Sequence, residues 1–269
     1  MNASMHTANA ALLDLDGVLY QGEHAIAGAA DAIAWLKTHG VPLLFITNTS
    51  SRPRQALVQK LAHIGIPATV SEILSPAAAA NSWLQQHVAG AIGLFVNPAT
   101  VTEFADLPIA GDATQAVGAV VVGDLGDGWD FPRLNDAFRM LMHDSKPPLL
   151  ALGMTRYWQT AGGLQLDTGP FVAALQYAAG VTAQVFGKPA AEFFQAAIEM
   201  LNVPPERICI IGDDIHSDID AAQRLGLRGI LAKTGKFRPT DLDQGITPNA
   251  IINSIADLPA WWQAQFPIA

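Results

Sequence analysis

Two aspartates one residue apart, Asp14 and Asp16, close a short apolar run and are followed at once by Gly17. The run, Ala10 to Leu13, reads as a buried parallel strand. Residues i and i+2 of a strand project to one side, so both carboxylates are expected to face a single site at its carboxyl end. Gly17 supplies the backbone freedom to turn away there. Like charges held this close repel unless a cation or a shared proton lies between them. Taken alone, such a stretch is an acidic turn at the end of a strand, and only polar residues elsewhere in the chain can give it a chemical reading.

Three further polar sites supply them. Thr47-Asn48 comes directly after the apolar run Val41 to Ile46, Lys188 stands between Gly187 and Pro189, and Asp213-Asp214, with Asp218, comes after the apolar run Ile208 to Ile211 and Gly212. In a parallel sheet the carboxyl ends of the strands line one edge, where ligands bind. The assembled set offers carboxylates for a hard cation, a hydroxyl and an amide for an anion, and one ammonium. A hard divalent ion such as Mg²⁺ takes oxygen ligands and keeps several waters. Lys188 and Thr47 suit phosphoryl oxygens, and a metal neutralises charge on a transferring group. A carboxylate relieved of its proton by that metal can attack phosphorus and form an aspartyl-phosphate.

The elements that must position these groups alternate. Helical spacing at Ala29, Ala32, Ile33 and Leu36 stops at Gly40, and a second helix opens near Pro53 and carries Leu57, Leu61 and Ile64. Strand, polar end, helix, repeated, is the grammar of a doubly wound parallel sheet. From Pro76 the pattern changes: an Ala-rich helix to His87, strands at Gly93–Val96, Ala119–Val122 and Leu149–Leu152, and helices near 132–143 and 169–179, with no second acidic strand end. We read 76–185 as an inserted second α/β domain and 1–75 with 186–269 as the core. The core resumes with a helix from Ala190 to Leu201, the Ile208 strand, a helix opened by Ser217-Asp218, strands at Gly229–Leu231 and Ala250–Ile252, and an amphipathic tail helix holding Trp261 and Trp262.

Half of the 269 residues are hydrophobic and 14% charged, enough for a large core. A net charge of −9 argues against nucleic acid and anionic membrane as partners, though not against a small phosphorylated substrate. The lone cysteine, Cys209, excludes an internal disulfide and a thiolate metal cluster, and its apolar neighbours make it a small buried hydrophobe. The polar start of the chain does not fit a signal segment, and no apolar run reaches the length of a membrane span, so a cytoplasmic location is expected.

The ordered set Asp14-Leu15-Asp16-Gly17-Val18, Thr47-Asn48, Gly187-Lys188-Pro189 and Gly212-Asp213-Asp214 with Asp218 resembles the four motifs of the haloacid-dehalogenase-like hydrolase superfamily. The long insertion between the second and third motifs is similar to the subgroup with an α/β cap. The resemblance implies a Rossmann-like hydrolase core and a phosphatase. Asp14 would be nucleophile and metal ligand. Asp16 would be general acid/base and lend its carbonyl to the metal. Thr47 and Asn48 would bind the phosphoryl group, Lys188 would offset charge, Asp213 would complete a Mg²⁺ site, and Asp218 would orient it. An acid at position 16 suits phosphoryl transfer, whereas dehalogenating members lack it. The substrates implied are a small phosphorylated metabolite, pyrophosphate or a phosphoramidate, and a homodimer through the cap is compatible with the family. Two rivals stand beside hydrolysis: phosphoryl transfer to an alcohol, and a non-enzymatic receiver-like module that binds phosphate.

Other features take plainer readings. Gly123 to Gly128 does not match the dinucleotide fingerprint and reads as a cap turn, and Gly235-Lys236 lacks the upstream glycine of a P-loop and reads as a surface turn. Asp214 reads as a helix cap or as a support behind the metal ligands rather than a ligand itself, and Trp261 and Trp262 as packing against the sheet. Arg156, Tyr157 and Trp158 are candidates to meet the leaving group, weighed against simple packing in the cap.

Overall fold

The structure, a computed structural model, describes residues 9–160 and 162–267. Elements are numbered in chain order. The chain divides into two compact units: residues up to Thr47, Gln55–Leu74 and Lys188 onward form the first, and Asn48–Arg54 with Ser75–Gly187 form the second.

The first unit is built on β1 (Ala10–Asp14), in which every residue is buried. A strand apolar on both faces needs cover on both, which is what a doubly wound parallel sheet provides. A tight turn after β1 leads through the small pair β2 (Tyr20–Gln21) and β3 (His24–Ala25) to α1 (Ala29–Thr38), β4 (Leu43–Ile46), α2 (Arg54–His63) and the short edge strand β5 (Ile73–Leu74).

The second unit then runs α3 (Pro76–His87), β6 (Ile92–Phe95), β7 (Ala119–Val122), α4 (Phe131–Leu141), β8 (Leu149–Ala151), β9 (Tyr157–Thr160), β10 (Gly163–Leu166), α5 (Thr168–Ala179) and β11 (Gln184–Val185). Its sheet has the order β11-β8-β7-β6, all parallel, and β9 and β10 make a separate antiparallel hairpin. Its core gathers Val120, Val122, Leu149, Ala151, Val172 and Leu175, with Trp129 stacked between Phe95 and Phe171. The Gly123–Gly128 stretch is a turn, tied by Gly126 N donating to Asp124 Oδ1 at 2.9 Å.

The chain returns to the first unit through α6 (Ala191–Leu201), β12 (Ile208–Gly212), a π-helical segment Ile215–Asp220 running into α7 (Ala221–Gln223), β13 (Arg228–Ala232), β14 (Ala250–Ile252) and α8 (Leu258–Gln265). The completed sheet has the order β14-β13-β12-β1-β4-β5, parallel throughout. The chain leaves β1 in one direction through β4 and β5, then resumes on its other flank at β12. That reversal beside β1 is the topological switch point at which open α/β sheets bind ligands. The α/β class and doubly wound core expected from the sequence are what the structure has. Trp262 is fully buried in the core of this unit, with Trp261 packed beside it, as a packing role requires. Cys209 is likewise buried, in β12. No helix among the described residues is long and apolar enough to cross a membrane.

Two local differences from the sequence reading have physical causes. The helix expected to open at Ser217-Asp218 begins earlier, because the Asp214 carboxylate accepts from the backbone of both His216 and Ser217 at 3.0 Å and so caps the segment. β1 ends at Asp14, so Asp16 lies in the turn and not on the strand. The alternation of a pleat therefore does not set its position. Leu19 N and Tyr20 N both donate to Leu15 O, and Gly17, at φ +89°, makes that turn accessible to the backbone.

Candidate active site

Strand register brings the first residues together. Asp14 is the register partner of Ile46, one residue before Thr47, and Leu13 pairs with Ile211, two residues before Asp213. Three adjacent strands thus end at one edge and carry Thr47, Asp14 and Asp213 there. Lys188 reaches the same edge as the chain re-enters this unit, and Asp218 arrives from the segment that Asp214 caps.

The geometry is that of a buried charge cluster. Lys188 Nζ donates to Asp14 Oδ1 at 2.6 Å and to Asp218 Oδ1 at 2.7 Å, with all three side chains almost wholly out of solvent. Asp218 Oδ2 accepts from Asp214 N at 3.2 Å, so both its oxygens are engaged. Carboxylate oxygens of Asp14, Asp213 and Asp218 lie within 4.8 Å of one another, the arrangement of a group able to hold a metal ion. Thr47 is buried, whereas Asp16 is exposed. Asn48 is exposed and belongs to the second unit. The structure therefore gathers Asp14, Thr47, Lys188, Asp213 and Asp218 in the first unit, with Asp16 on the turn just past β1. Arg156, Tyr157 and Trp158 lie on and beside the β9–β10 hairpin, all exposed.

Burial pushes the Asp14 carboxyl up. Lys188 opposes this, and the neighbouring negative charges of Asp218 and Asp213 add to it. Desolvation works against the Lys188 ammonium, yet Asp14 and Asp218 together hold its pKa above the ordinary lysine value. Burial also raises Asp213, to about 6, against the pull of its bond from Lys236 N. Three acids facing one ammonium leave a site short of positive charge.

Asp213 shows where that charge belongs. Its Oδ2 accepts from the backbone of Lys236 at 2.6 Å, while its Oδ1 is buried with no partner among the described residues. A buried carboxylate oxygen left unsatisfied is costly. An oxygen-ligated hard cation satisfies it and lowers the repulsion among the three acids, so this donor set fits a Mg²⁺-type ion.

The Gly235-Lys236 turn is more than the surface turn its sequence suggests. The Lys236 side chain is exposed, but its amide holds Asp213. A Cβ at either Gly17 or Gly235 would overlap Asp213 Oδ2, and Gly235 also has φ +56°. Thr234 Oγ1 donates to Gly17 O at 2.5 Å, joining the two loops on either side of the carboxylate. The available signal is position: these residues come directly after β13, neighbour of β12, so the rule that ligands gather at strand ends includes them.

A family model described as haloacid dehalogenase-like hydrolase matches residues 11–108, and a second, described as HAD-hydrolase-like, matches 185–258. The chain belongs to the haloacid dehalogenase-like hydrolase family, and it is a phosphatase of that family. The phospholysine phosphohistidine inorganic pyrophosphate phosphatase of Homo sapiens is 38% identical over 234 residues, covering 86% of this chain and 84% of that protein. Among solved structures, a hypothetical protein from Pyrococcus horikoshii OT3 superimposes with a TM-score of 0.86 at 26% identity, over 94% of this chain and 99% of its own. The p-nitrophenyl phosphatase from Archaeoglobus fulgidus gives 0.85 at 23% identity, over 94% and 99%, a likeness of fold.

Proposed function

We propose that this chain is a Mg²⁺-dependent phosphohydrolase that works through an aspartyl-phosphate on Asp14. The observation that supports it most is the Lys188 ammonium shared between Asp14 and Asp218, beside an Asp213 oxygen that has no partner. Asp14, Asp213 and the backbone carbonyl of Asp16 would hold the ion, which when bound supplies positive charge for phosphoryl oxygens.

The chain's own groups account for the remaining steps. Lys188 orients one oxygen of Asp14 and favours its ionised form, while the other oxygen takes no bond among the described residues and is the attacking atom. The Asp14–P bond forms as the bond from phosphorus to the leaving oxygen or nitrogen breaks, and Asp16 gives its proton to that atom. Asp16, now a carboxylate and on the exposed turn, takes a proton from water. The hydroxide attacks phosphorus, releasing inorganic phosphate and the Asp14 carboxylate. Thr47 and Asn48 bind the phosphoryl oxygens through both steps, and Asp218 fixes Lys188. For substrate, the likeness to the human enzyme favours pyrophosphate or a phosphoramidate over other small phosphorylated compounds. A cytoplasmic setting agrees with a single thiol that stays buried in β12.

Phosphate release from p-nitrophenyl phosphate, pyrophosphate, phospholysine and phosphohistidine, with Mg²⁺ and with chelator, tests the proposal. Release that requires Mg²⁺ and is fastest for pyrophosphate or a phosphoramidate is expected. A folded, Mg²⁺-loaded protein that releases nothing would sink it.

A further inference from the structure

Residues 48–54 are flanked in the chain by stretches of the first unit, yet they belong to the second. Two sets of bonds hold them there. Thr100, fully buried, donates from Oγ1 to the Ser50 carbonyl at 2.9 Å. Glu103, only 8% exposed, accepts from Arg54 at both oxygens: Arg54 N to Oε1 and Arg54 Nε to Oε2, each at 2.7 Å. Thr100 and Glu103 both come from the short 3₁₀ segment Pro98–Phe104, about fifty positions away in sequence.

Burying a carboxylate and a guanidinium costs desolvation that an apolar pair of similar volume avoids. What charged groups add is direction. Glu103 fixes a backbone N–H and a side-chain edge together, so it determines the path of the chain at Arg54 and not merely its proximity. The Ser50 carbonyl gives a second fixed point four residues earlier. Between them the course of residues 50–54 is set, and Asn48 lies two residues before the Ser50 anchor in the same unit.

We propose that Arg54 and Glu103 are a positioning pair for phosphoryl binding, acting through the 48–54 segment to place Asn48. The inference rests on the reading of Asn48 as a phosphoryl-binding residue. Neither member of the pair touches substrate. Their partnership neutralises the Arg54 charge, so the pair works through chain path and not through the field it casts on an anion.

The test compares wild type with R54A, E103A, the double variant and E103Q, using p-nitrophenyl phosphate and pyrophosphate below the melting temperature. R54A and E103A should each lower kcat/KM by about 10- to 100-fold, and the double variant should lose no more than the worse single, because two residues acting as one unit are not additive. Mg²⁺ affinity by calorimetry should stay within about twofold, since Asp14, Asp213 and Asp218 all lie in the first unit. E103Q keeps the shape and one acceptor oxygen, so it provides a folded comparison if R54A does not fold, with a loss of about 3- to 10-fold. K37A, which breaks a 2.7 Å ion pair with Glu72 in the first unit, should leave kcat/KM unchanged. Unaltered kcat/KM in R54A and E103Q, losses that multiply in the double variant, or a parallel fall in Mg²⁺ affinity would each overturn the pair's role. An inactive wild type would instead remove the phosphatase reading, and the proposal with it.

Discussion

Asp14 and Asp213 sit on the same sheet edge, both raised by burial, but they differ in partners. Asp14 is held by Lys188, which has Asp218 as a second carboxylate. Asp14→Asn therefore removes the proposed nucleophile while leaving Lys188 paired with Asp218, and should cut turnover by about a thousandfold or more with the fold intact by circular dichroism. Asp213→Asn removes the charge from the oxygen that lacks a partner. The Mg²⁺ concentration for half-maximal activity should rise at least about tenfold, read by metal titration. The raised Asp213 pKa has its own consequence for stability. A carboxyl with a folded pKa near 6 binds its proton more tightly folded than unfolded, so metal-free protein loses stability as pH rises from the ordinary carboxylate range through about 6. Bound Mg²⁺ relieves that penalty, so the melting-temperature gain on adding Mg²⁺ should be larger at about pH 8 than at about pH 5. Equal gains at both would show that Asp213 does not meet the ion.

The loops carrying Gly17 and Gly235 are as important to the site as its strands. Gly235→Ala places a side chain against Asp213 in a backbone conformation that only glycine adopts freely, so a stability loss of about 1–3 kcal/mol is expected in denaturant, together with a raised Mg²⁺ requirement. At this scale it is clear what could be read from the sequence and what could not. Asp14, Thr47 and Asp213 were legible because each comes after an apolar run with a polar end, and a parallel sheet brings such ends to one edge. Asp214 was legible as a cap because its carboxylate bonds amides only two and three residues on. The role of the Lys236 amide was not, because its partner lies 23 positions away and the turn by itself looks like any other. The attachment of 48–54 through Arg54 and Glu103 was hidden for the same reason, as it joins residues 49 positions apart with no shared periodicity. The β9–β10 hairpin escaped detection because its apolar side chains, Leu164 and Leu166 among them, face solvent and so give no burial pattern.

Across the whole molecule, the lone cysteine reports on integrity. Burial pushes the Cys209 thiol up to about 12, so almost no thiolate exists at neutral pH and no reagent reaches it in the native state. A thiol-reactive dye should label the native protein negligibly over an hour and stoichiometrically in denaturant. Rapid native labelling would mean that β12, and Asp213 with it, opens readily.

The joining of the Gly17 loop to the Thr234–Lys236 loop has a consequence for how the protein is made. Asp14 is synthesised well before Lys188, Asp213 and the Lys236 amide that steadies Asp213. A nascent or prematurely terminated product that ends before residue 236 has Asp14 without the loop that holds Asp213, and one that ends before residue 188 lacks the Lys188 ammonium and Asp213 as well. The site proposed for hydrolysis is therefore complete only once residue 236 has been made, and chains cut short of it are expected to release no phosphate.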